Sequence, residues 1–402
     1  MKIKPCIFGL GYIGLPLFQE LKKNYVTVGY DKNIDRVNEL NNKIDRNYEY
    51  RQIDLINKNS IFTYNQKDVA DANFYIVCVP TPIYKNKKPN LNPLIVAINT
   101  IANYIKKNDI IFIESTVYPG TTENICKKNI EKKTKLKEGK DFYIGYSPER
   151  INPGDKVHTV KNVKKIVSIK TDKKLILDKV KKIYKSISRK IIITENIKEA
   201  EAAKVFENVQ RDVNIALINE LFLIAHKLKI NFHEVYKIAS TKWNFLPFKP
   251  GLVGGHCLPV DPYYLSYISK KNNYNPKMLL AGREINDSME KHIIKIIIKK
   301  ISNIKNKKIL FIGLSYKKNV SDMRNSLAFN VFNYFVKKKY NVTGLEPHLP
   351  LSMKFKNVIK KIKIPIKYNI VIVLNKHNNL DNIVSKIKKN KKILLLNPFI
   401  QS

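Results

Sequence analysis

"PCIFGLGYIGLPLF", residues 5–18, and "VTVGYD", residues 26–31, decide the fold. The first stretch opens as a short apolar run, passes through Gly9, Gly11 and Gly14, and ends in an apolar segment of helical character. The spacing is that of a strand, a tight turn and a helix N-terminus. Glycine is required where the turn is sharp, where backbone must approach a pyrophosphate, and where the helix closes on the strand. The N–H groups of the helix N-terminus would then face the phosphates. Asp31, at the end of the next apolar run and about twenty residues on, stands where a carboxylate holds a ribose 2′-hydroxyl. A structural glycine turn followed by a strand-end aspartate would give the same letters. With Asp31 in place the pattern predicts a dinucleotide site. The carboxylate favours NAD over NADP, and neighbouring Lys32 works against that preference.

Outward from this motif, runs rich in Ile, Val and Tyr at 3–8, 26–30, 74–79, 110–114, 142–146 and 190–193 read as strands separated by amphipathic stretches. That succession predicts βαβ units and a parallel sheet. Residues from about 196 to 240, and 276–300, read as helices with few breakers. A new strand opens at "KKILFIGL" (307–314), and strands near 341–345, 369–374 and 392–396 predict a second α/β unit. The expected fold class is α/β, with two Rossmann-like doubly wound domains (1–195 and 301–402) joined by a central helical domain (196–300). The 402 residues suffice for two or three separate cores.

Composition bounds the function. A hydrophobic content of 44% with 10% aromatics describes a globular chain. Cys6, Cys78, Cys126 and Cys257 lie far apart with no CxxC pair, which argues for a reducing compartment and against a zinc knuckle or disulfide framework. The glycine-spaced start lacks a signal-peptide cleavage pattern, and no apolar run reaches the length of a membrane span. A soluble cytoplasmic protein is expected. The net charge of +41 is spread along the whole chain with Asn and Ile, as in "IIKIIIKKISNIKNKK" (293–308). With no aromatic RNA-binding block and no recognition-helix pattern, this charge reads as composition on solvated faces, without a specific nucleic-acid partner.

Two loops follow strands of the first sheet: "VPTP" (79–82) and "ESTVYPGTTE" (114–123). Ligands of open α/β sheets collect beyond the carboxyl ends of strands, where Thr81, Ser115 and Thr116 offer small hydroxyls. Taken alone, each reads as a cap or a turn residue before it reads as a site, and Pro119 reads as a helix opener. "IGYSPERINPGD" (144–155) adds Glu149 and Arg150 at the same edge. In "EAEAAKVFENVQRDVN" (199–214), Lys204, Asn208 and Arg211 stand at i, i+4 and i+7 and share a helix face. Such a face is either solvated or, among the neighbouring Ala, Val and Phe, buried with partners.

"VGGHC" (253–257) runs on through "LPVD" to Asp261. A metal would want more ligands than His256 and Asp261 supply. A structural cysteine sits in an apolar run, as Cys6 and Cys78 do. Asp261–Pro262 reads as the N-cap and first residue of the helix "PYYLSYIS", and a helix N-terminus beside the thiol favours thiolate. Cys257 therefore reads as a nucleophile. A dinucleotide site with a nucleophilic thiol suits an oxidation that takes a primary alcohol to an acid. Loss of one hydride gives an aldehyde, thiol addition gives a thiohemiacetal, a second hydride loss gives a thioester, and water releases the carboxylate.

The succession "GLGYIGLP", "VPTP", "ESTVYPGTTE", "YSPERINPGD", "EAAKVFENVQRD", "TKWNFLPFKPGLVGGHC", "VDPYY", "GREIND" and "GLSYKKNVSDMRNS" resembles the UDP-glucose/GDP-mannose dehydrogenase family over essentially the whole chain. The "SPERINPGD" and "KWNFLPF" blocks are most similar to the branch that oxidises UDP-N-acetylhexosamines, in particular the UDP-N-acetylglucosamine 6-dehydrogenase of Vi-type capsular polysaccharide synthesis. The resemblance implies Cys257 as nucleophile, Lys204 and Asn208 as oxyanion stabilisers, and Asp261 and Thr116 as holders of the catalytic water, with Asp261 a candidate base. It implies Glu149 at the sugar and the cysteine, activating water for thioester hydrolysis. It implies NAD held by Gly9, Gly11, Tyr12, Ile13, Gly14, Asp31, Arg36, Thr81 and Thr116, with Arg324 reaching it from the third domain. The UDP-sugar would meet Glu149, Arg150, Lys204, Asn208, Arg211, Phe245, Gly251 and Gly254, with Lys317 on the diphosphate. A homodimer would form through the central helices.

Three positions depart from the UDP-glucose pattern. Pro153 replaces a second glutamate and Val260 replaces a lysine, both as in the N-acetylhexosamine branch, and Glu346–Pro347 stands where the family has Asp–Pro. UDP-N-acetylglucosamine is thus the first expectation. UDP-N-acetylmannosamine, UDP-N-acetylgalactosamine and UDP-glucose are alternatives. A single-step hydroxyacid dehydrogenase and a basic nucleic-acid-binding protein are the rival classes.

Overall fold

The computed structural model describes residues 2–47, 50, 59–151, 155, 157–349, 353–362 and 367–400. Pro153 falls outside the described residues. The chain divides into two compact units, Met1–Glu207 with Tyr263–Tyr274, and Asn208–Pro262 with Asn275–Ser402.

The first unit is built on strands β1 (Pro5–Phe8), β2 (Thr27–Tyr30), β3 (Ser60–Thr63), β4 (Phe74–Val77), β5 (Asp109–Ile113), β6 (Phe142–Tyr146), β7 (Lys164–Ile169) and β8 (Lys190–Thr194). They lie in the order β3-β2-β1-β4-β5-β6-β7-β8, parallel except for the β6–β7 pair. Strands β1, β4, β5 and β6 are buried at every position. Parallel strands covered on both faces take continuous apolar runs, which is why the sequence displays them plainly. Around them run α1 (Gly14–Leu21), α2 (Ile34–Asn41), α3 (Asn92–Ala102), α4 (Lys128–Thr134) and α5 (Lys174–Ile187). Leu17, Phe18 and Leu21 of α1 share one apolar cluster with Ile7, Phe74, Phe112 and Tyr184. Strand order reverses between β1 and β4, and the crevice at their carboxyl ends is where such sheets bind ligands.

The long helix α6 (Ile197–Leu228) has 32 residues and crosses from one unit's residues to the other's. It is followed by α7 (Phe232–Ala239), α8 (Asp261–Lys271) and α9 (Lys277–Ile301). The second unit's sheet comprises β9 (Lys308–Ile312), β10 (Asn341–Leu345), β11 (Val358–Ile359), β12 (Ile370–Val373) and β13 (Leu394–Leu396). Its order is β11-β10-β9-β12-β13, all parallel, with α10 (Leu327–Lys337) and α11 (Asp381–Lys389) beside it. Ile218 and Phe222 of α6, Met289, Ile293 and Ile297 of α9, and Phe311, Phe332 and Phe335 form one core. Among the described residues no helix is long and apolar enough to cross a membrane.

Three strands were not expected. β3 is short and half-exposed, β11 spans two residues, and β7 begins with Lys164–Lys165 and so reads as polar. Asp261 is the first residue of α8 rather than the residue before it. Pro119 does not open a helix directly. A π-helical turn, Thr122–Lys127, leads into α4, and the carboxylate of Glu201 caps it by accepting from the Gly120 and Thr122 N–H groups at 2.5 and 2.8 Å.

Candidate functional site

In the glycine loop of the first unit, Gly9 takes φ +92°, and a Cβ there would lie 2.7 Å from the Cys78 carbonyl oxygen. A Cβ on Gly14 would lie 1.8 Å from the Gly9 oxygen, so loop and helix close on each other. The space beside Gly11 is open, with nothing within 4 Å. Packing inside the protein thus demands two of the glycines, and the third leaves backbone exposed to a ligand. Tyr12 and Ile13 are half-buried in the same turn, and no side chain caps the N-terminus of α1. Asp31 Oδ2 accepts from the Leu10 N–H at 2.8 Å and Oδ1 from the Asn33 N–H at 2.9 Å. A carboxylate has about four acceptor positions, so capacity remains for ribose hydroxyls. Arg36 is buried: Nε donates to the Leu10 oxygen and Nη2 to Asp45 Oδ1, each at 2.8 Å. It braces the loop from within. An open glycine, an uncapped helix N-terminus and a strand-end carboxylate with spare acceptors fit NAD.

The two hydroxyl-bearing loops are tied together. Thr81 Oγ1 donates to the Thr116 oxygen at 2.7 Å, and Ser115 Oγ to the Val79 oxygen at 2.7 Å. Tyr264 of α8 donates from its hydroxyl to the Thr81 and Pro82 oxygens at 3.0 and 3.2 Å. At the next strand end, Glu149 is buried. Its Oε1 accepts from the Arg150 and Ile151 N–H groups, both at 2.6 Å, and its Oε2 from Lys165 Nζ at 2.7 Å. Lys204 Nζ donates to the Glu149 backbone oxygen, and Arg150 pairs with Glu207. Burial alone would raise the Glu149 carboxyl, but Lys165 and the backbone amides outweigh it and hold it below the ordinary range.

In the second unit, Cys257 is exposed, whereas Cys6, Cys78 and Cys126 are buried and burial pushes their thiols up. The Cys257 carbonyl accepts the N–H groups of Val260 and Asp261 at 3.0 and 2.8 Å, which fixes the start of α8 immediately after the thiol loop. Asn208 Nδ2 donates to Asp261 Oδ2 at 2.5 Å, and Arg211 Nη2 donates to Asn208 Oδ1 at 2.6 Å. The predicted trio on α6 is therefore engaged rather than merely solvated. Gly251 exchanges both backbone hydrogen bonds with the buried Asn219 side chain, at 2.8 and 3.1 Å. Phe245 is half-buried with its ring edge-on to Tyr236 at 5.6 Å.

The glycines of the thiol loop are accounted for by the loop 313–326. A Cβ on Gly254 would lie 2.5 Å from the Asn325 oxygen, and one on Gly255, at φ +90°, would lie 2.7 Å from the Tyr316 ring. His256 Nε2 meets Asp322 Oδ2 at 2.7 Å, and the same carboxylate receives Arg324 through Nε and Nη2 at 3.0 and 2.9 Å. Burial would raise Asp322, but His256 and Arg324 hold its carboxyl far below the usual range. Lys317 is half-buried in this loop, and its backbone oxygen accepts from Ser315 Oγ at 2.9 Å.

Several polar residues in these networks carried no expected role. Lys165 and Glu114 flank Glu149. Asp322 links the residue before the thiol to Arg324. Arg283 and Asn286 of "GREIND" bind the buried Asp212 carboxylate at 2.6 and 2.9 Å, and Arg283 also reaches the Leu258 oxygen at 3.4 Å. The motifs containing Asp322, Arg283 and Asn286 were visible as letters, whereas Lys165 gave no signal.

Residues 1–188 match the NAD binding domain, 198–288 the central domain and 310–399 the UDP binding domain of the UDP-glucose/GDP-mannose dehydrogenase family. The chain is similar to Protein CapL of Staphylococcus aureus, 45% identical over 342 residues, covering 84% of this chain and 80% of that protein. It is similar to the UDP-N-acetyl-D-glucosamine 6-dehydrogenase of Salmonella typhi, 44% identical over 352 residues, covering 86% and 82%. Among solved structures, the UDP-D-ManNAc dehydrogenase of Pyrococcus horikoshii superposes with a TM-score of 0.83 at 28% identity, covering 100% and 96%.

Proposed function

Since this chain belongs to the UDP-glucose/GDP-mannose dehydrogenase family and is thus an NAD-dependent nucleotide-sugar dehydrogenase, we propose that it oxidises the C6 alcohol of UDP-N-acetylglucosamine to the uronic acid, for surface polysaccharide synthesis. The observation that carries this reading is the thiol loop. Of four cysteines only Cys257 is exposed, on two glycines packed under Tyr316 and Asn325, immediately before α8. NAD, when bound, supplies the oxidant, one equivalent for the alcohol carbon and a second for the thiohemiacetal carbon. The Cys257 sulfur adds to the aldehyde carbon, remains bonded through the thioester, and leaves as water adds to that carbon. Lys204 and Asn208 stabilise the developing oxyanions, and Asp261, held by Asn208, orients water, the role that the resemblance also gives Thr116. Glu149 receives the proton of the attacking water.

The N-acetylglucosamine choice is supported by Val260 and by the "KWNFLPF" block. The relative named for that sugar is also more similar in sequence than the structure named for mannosamine. The same reading carries the three-domain partition, 1–195, 196–300 and 301–402, a cytoplasmic setting that keeps Cys257 reduced, and a homodimer. Leu217, Leu221, Ile224 and Leu228 are exposed at i, i+4, i+7 and i+11 of α6, an apolar stripe suited to a second copy.

The test is NADH release by the purified chain across UDP- and GDP-sugars. Two NADH per UDP-N-acetylglucosamine, with higher catalytic efficiency than for UDP-glucose, is the expected result. One NADH per sugar would favour a single-step dehydrogenase, and preference for UDP-glucose would overturn the branch assignment.

A further inference from the structure

Strand β7 brings Lys165 into the interior of the first unit, where its side chain has no exposed surface. Its Nζ donates to Glu114 Oε2 at 2.5 Å and to Glu149 Oε2 at 2.7 Å. Glu114 directly follows β5 and is buried as completely, its other oxygen accepting from the Tyr184 hydroxyl of α5 at 3.0 Å. Two carboxylates share one ammonium, with the Cys78 thiol just past β4 within their electrostatic reach and Lys204 of α6 on the Glu149 carbonyl. As a stabilising device this is poor, because desolvating three charges costs about as much as their attraction returns. As a device for aiming one carboxylate it is well made. Three donors occupy Glu149, leaving about one of its four acceptor positions for a water.

We propose that Lys165 is the positioning residue that sets the charge and orientation of Glu149, with Glu114 as the competing partner that tunes it. The inference rests on the reading of Glu149 as the group that takes a proton from the hydrolytic water. Electrostatics agrees with the geometry. Burial and the nearby Glu149 push Glu114 up to about 7 against the pull of Lys165, whereas Glu149, with Lys165 and two amides, stays below the ordinary range. Glu114 is therefore the first of the pair to take up a proton as pH falls, and Glu149 remains ionised to accept one from water.

The experiment measures uronate formation by the full chain with NAD and UDP-N-acetylglucosamine as a function of pH. Lys165→Met leaves two buried carboxylates facing each other. It should lower the rate at neutral pH by about 10²-fold and move the acid limb of the profile up by about one pH unit or more. Lys165→Gln combined with Glu114→Gln keeps the net charge that the cluster has with Glu114 ionised but strips Glu149 of its counter-ion, so its limb should move up less. Lys165→Arg should restore the limb and bring the rate within about tenfold of wild type. A folded Lys165→Met or double variant with the wild-type limb overturns the proposal, and the double variant decides if Lys165→Met does not fold. An infrared titration of buried carboxyls needs no turnover. Lys165→Met should gain, beyond the band of Glu114, a second protonated-carboxyl band at neutral pH that is missing when Glu149→Gln is added. Absence of that band overturns the proposal, whereas a wild-type chain releasing no NADH from any nucleotide sugar overturns the functional reading instead.

Discussion

The two parallel sheets turn the same corner and then part. After β1, Gly9 donates its N–H to the Tyr30 oxygen at 2.8 Å. After β9, Gly313 donates to the Leu345 oxygen at 3.0 Å. Both glycines have positive φ, +92° and +77°, and a Cβ on either would collide with a carbonyl just beyond the neighbouring strand, Cys78 or Asn375. In each unit the next residue donates its N–H at 2.8 Å to the acid that follows the second strand, Leu10 to Asp31 and Leu314 to Glu346. The acids then serve opposite ends. Asp31 is partly exposed and keeps acceptor capacity, whereas Glu346 has no exposed surface. It also accepts the Ser315 N–H at 2.8 Å and meets the buried His377 at 3.1 Å. The first corner passes at Gly14 straight into a helix, as a phosphate site requires. The second continues through a loop to Leu327, and that loop braces the cysteine. A shared turn therefore does not imply a shared ligand, and the exposure of one carboxylate separates the two uses.

The largest effect should come from the group that the second corner supports. Cys257→Ala removes the proposed nucleophile, and uronate formation should fall by about 10³-fold or more. Near-normal uronate from this variant would leave the brace without a purpose. The acids themselves come next. Asp31→Asn removes the charge that repels a 2′-phosphate and should shift the NAD-to-NADP efficiency ratio by about tenfold or more with little change in melting temperature. Glu346→Gln should do the reverse, leaving cofactor preference alone while costing about 1–3 kcal/mol of stability. Equal behaviour of the two variants in both assays would erase the distinction. A smaller effect is expected at Gly11, where Ala meets no protein atom. Gly11→Ala should melt like wild type yet raise KM for NAD, by about tenfold or less.

The smallest effect is a pH dependence. Burial acts to raise the Glu346 carboxyl, but hydrogen bonding from His377 and the backbone amides holds it below its ordinary 4.5. A carboxyl depressed by folding stabilises the native state above its unfolded value and loses that contribution as pH falls through the folded one. The gap in melting temperature between wild type and Glu346→Gln should therefore narrow once pH drops below 4.5. A gap that widens with acid would mean that Glu346 is not held ionised.

What the sequence displays follows from how each residue is satisfied. Strands β1, β4, β5, β6, β9 and β12 advertise themselves because both of their faces are apolar. The glycine corner is legible because its glycines fall at a fixed short spacing, although only Gly14 answers a neighbour in sequence and Gly9 answers to Cys78. β7 was missed because Lys165 is satisfied by Glu114 and Glu149, 51 and 16 positions away, and no periodicity records such a debt. Asp322 is likewise bound to His256, 66 positions away, so its motif could be seen without its purpose. The apolar interior is written locally, whereas the polar interior is written in pairs.

The contrast among the four cysteines turns the proposed nucleophile into a countable atom. Cys6, Cys78 and Cys126 are shut away by burial that also disfavours their thiolates, while Cys257 stands at the surface. A thiol reagent applied to the native chain meets one sulfur, and applied to the unfolded chain meets four. Equivalents incorporated before and after unfolding give the fraction of molecules in which the three inner thiols are shut away. That provides a count of folded chains that requires neither substrate nor turnover.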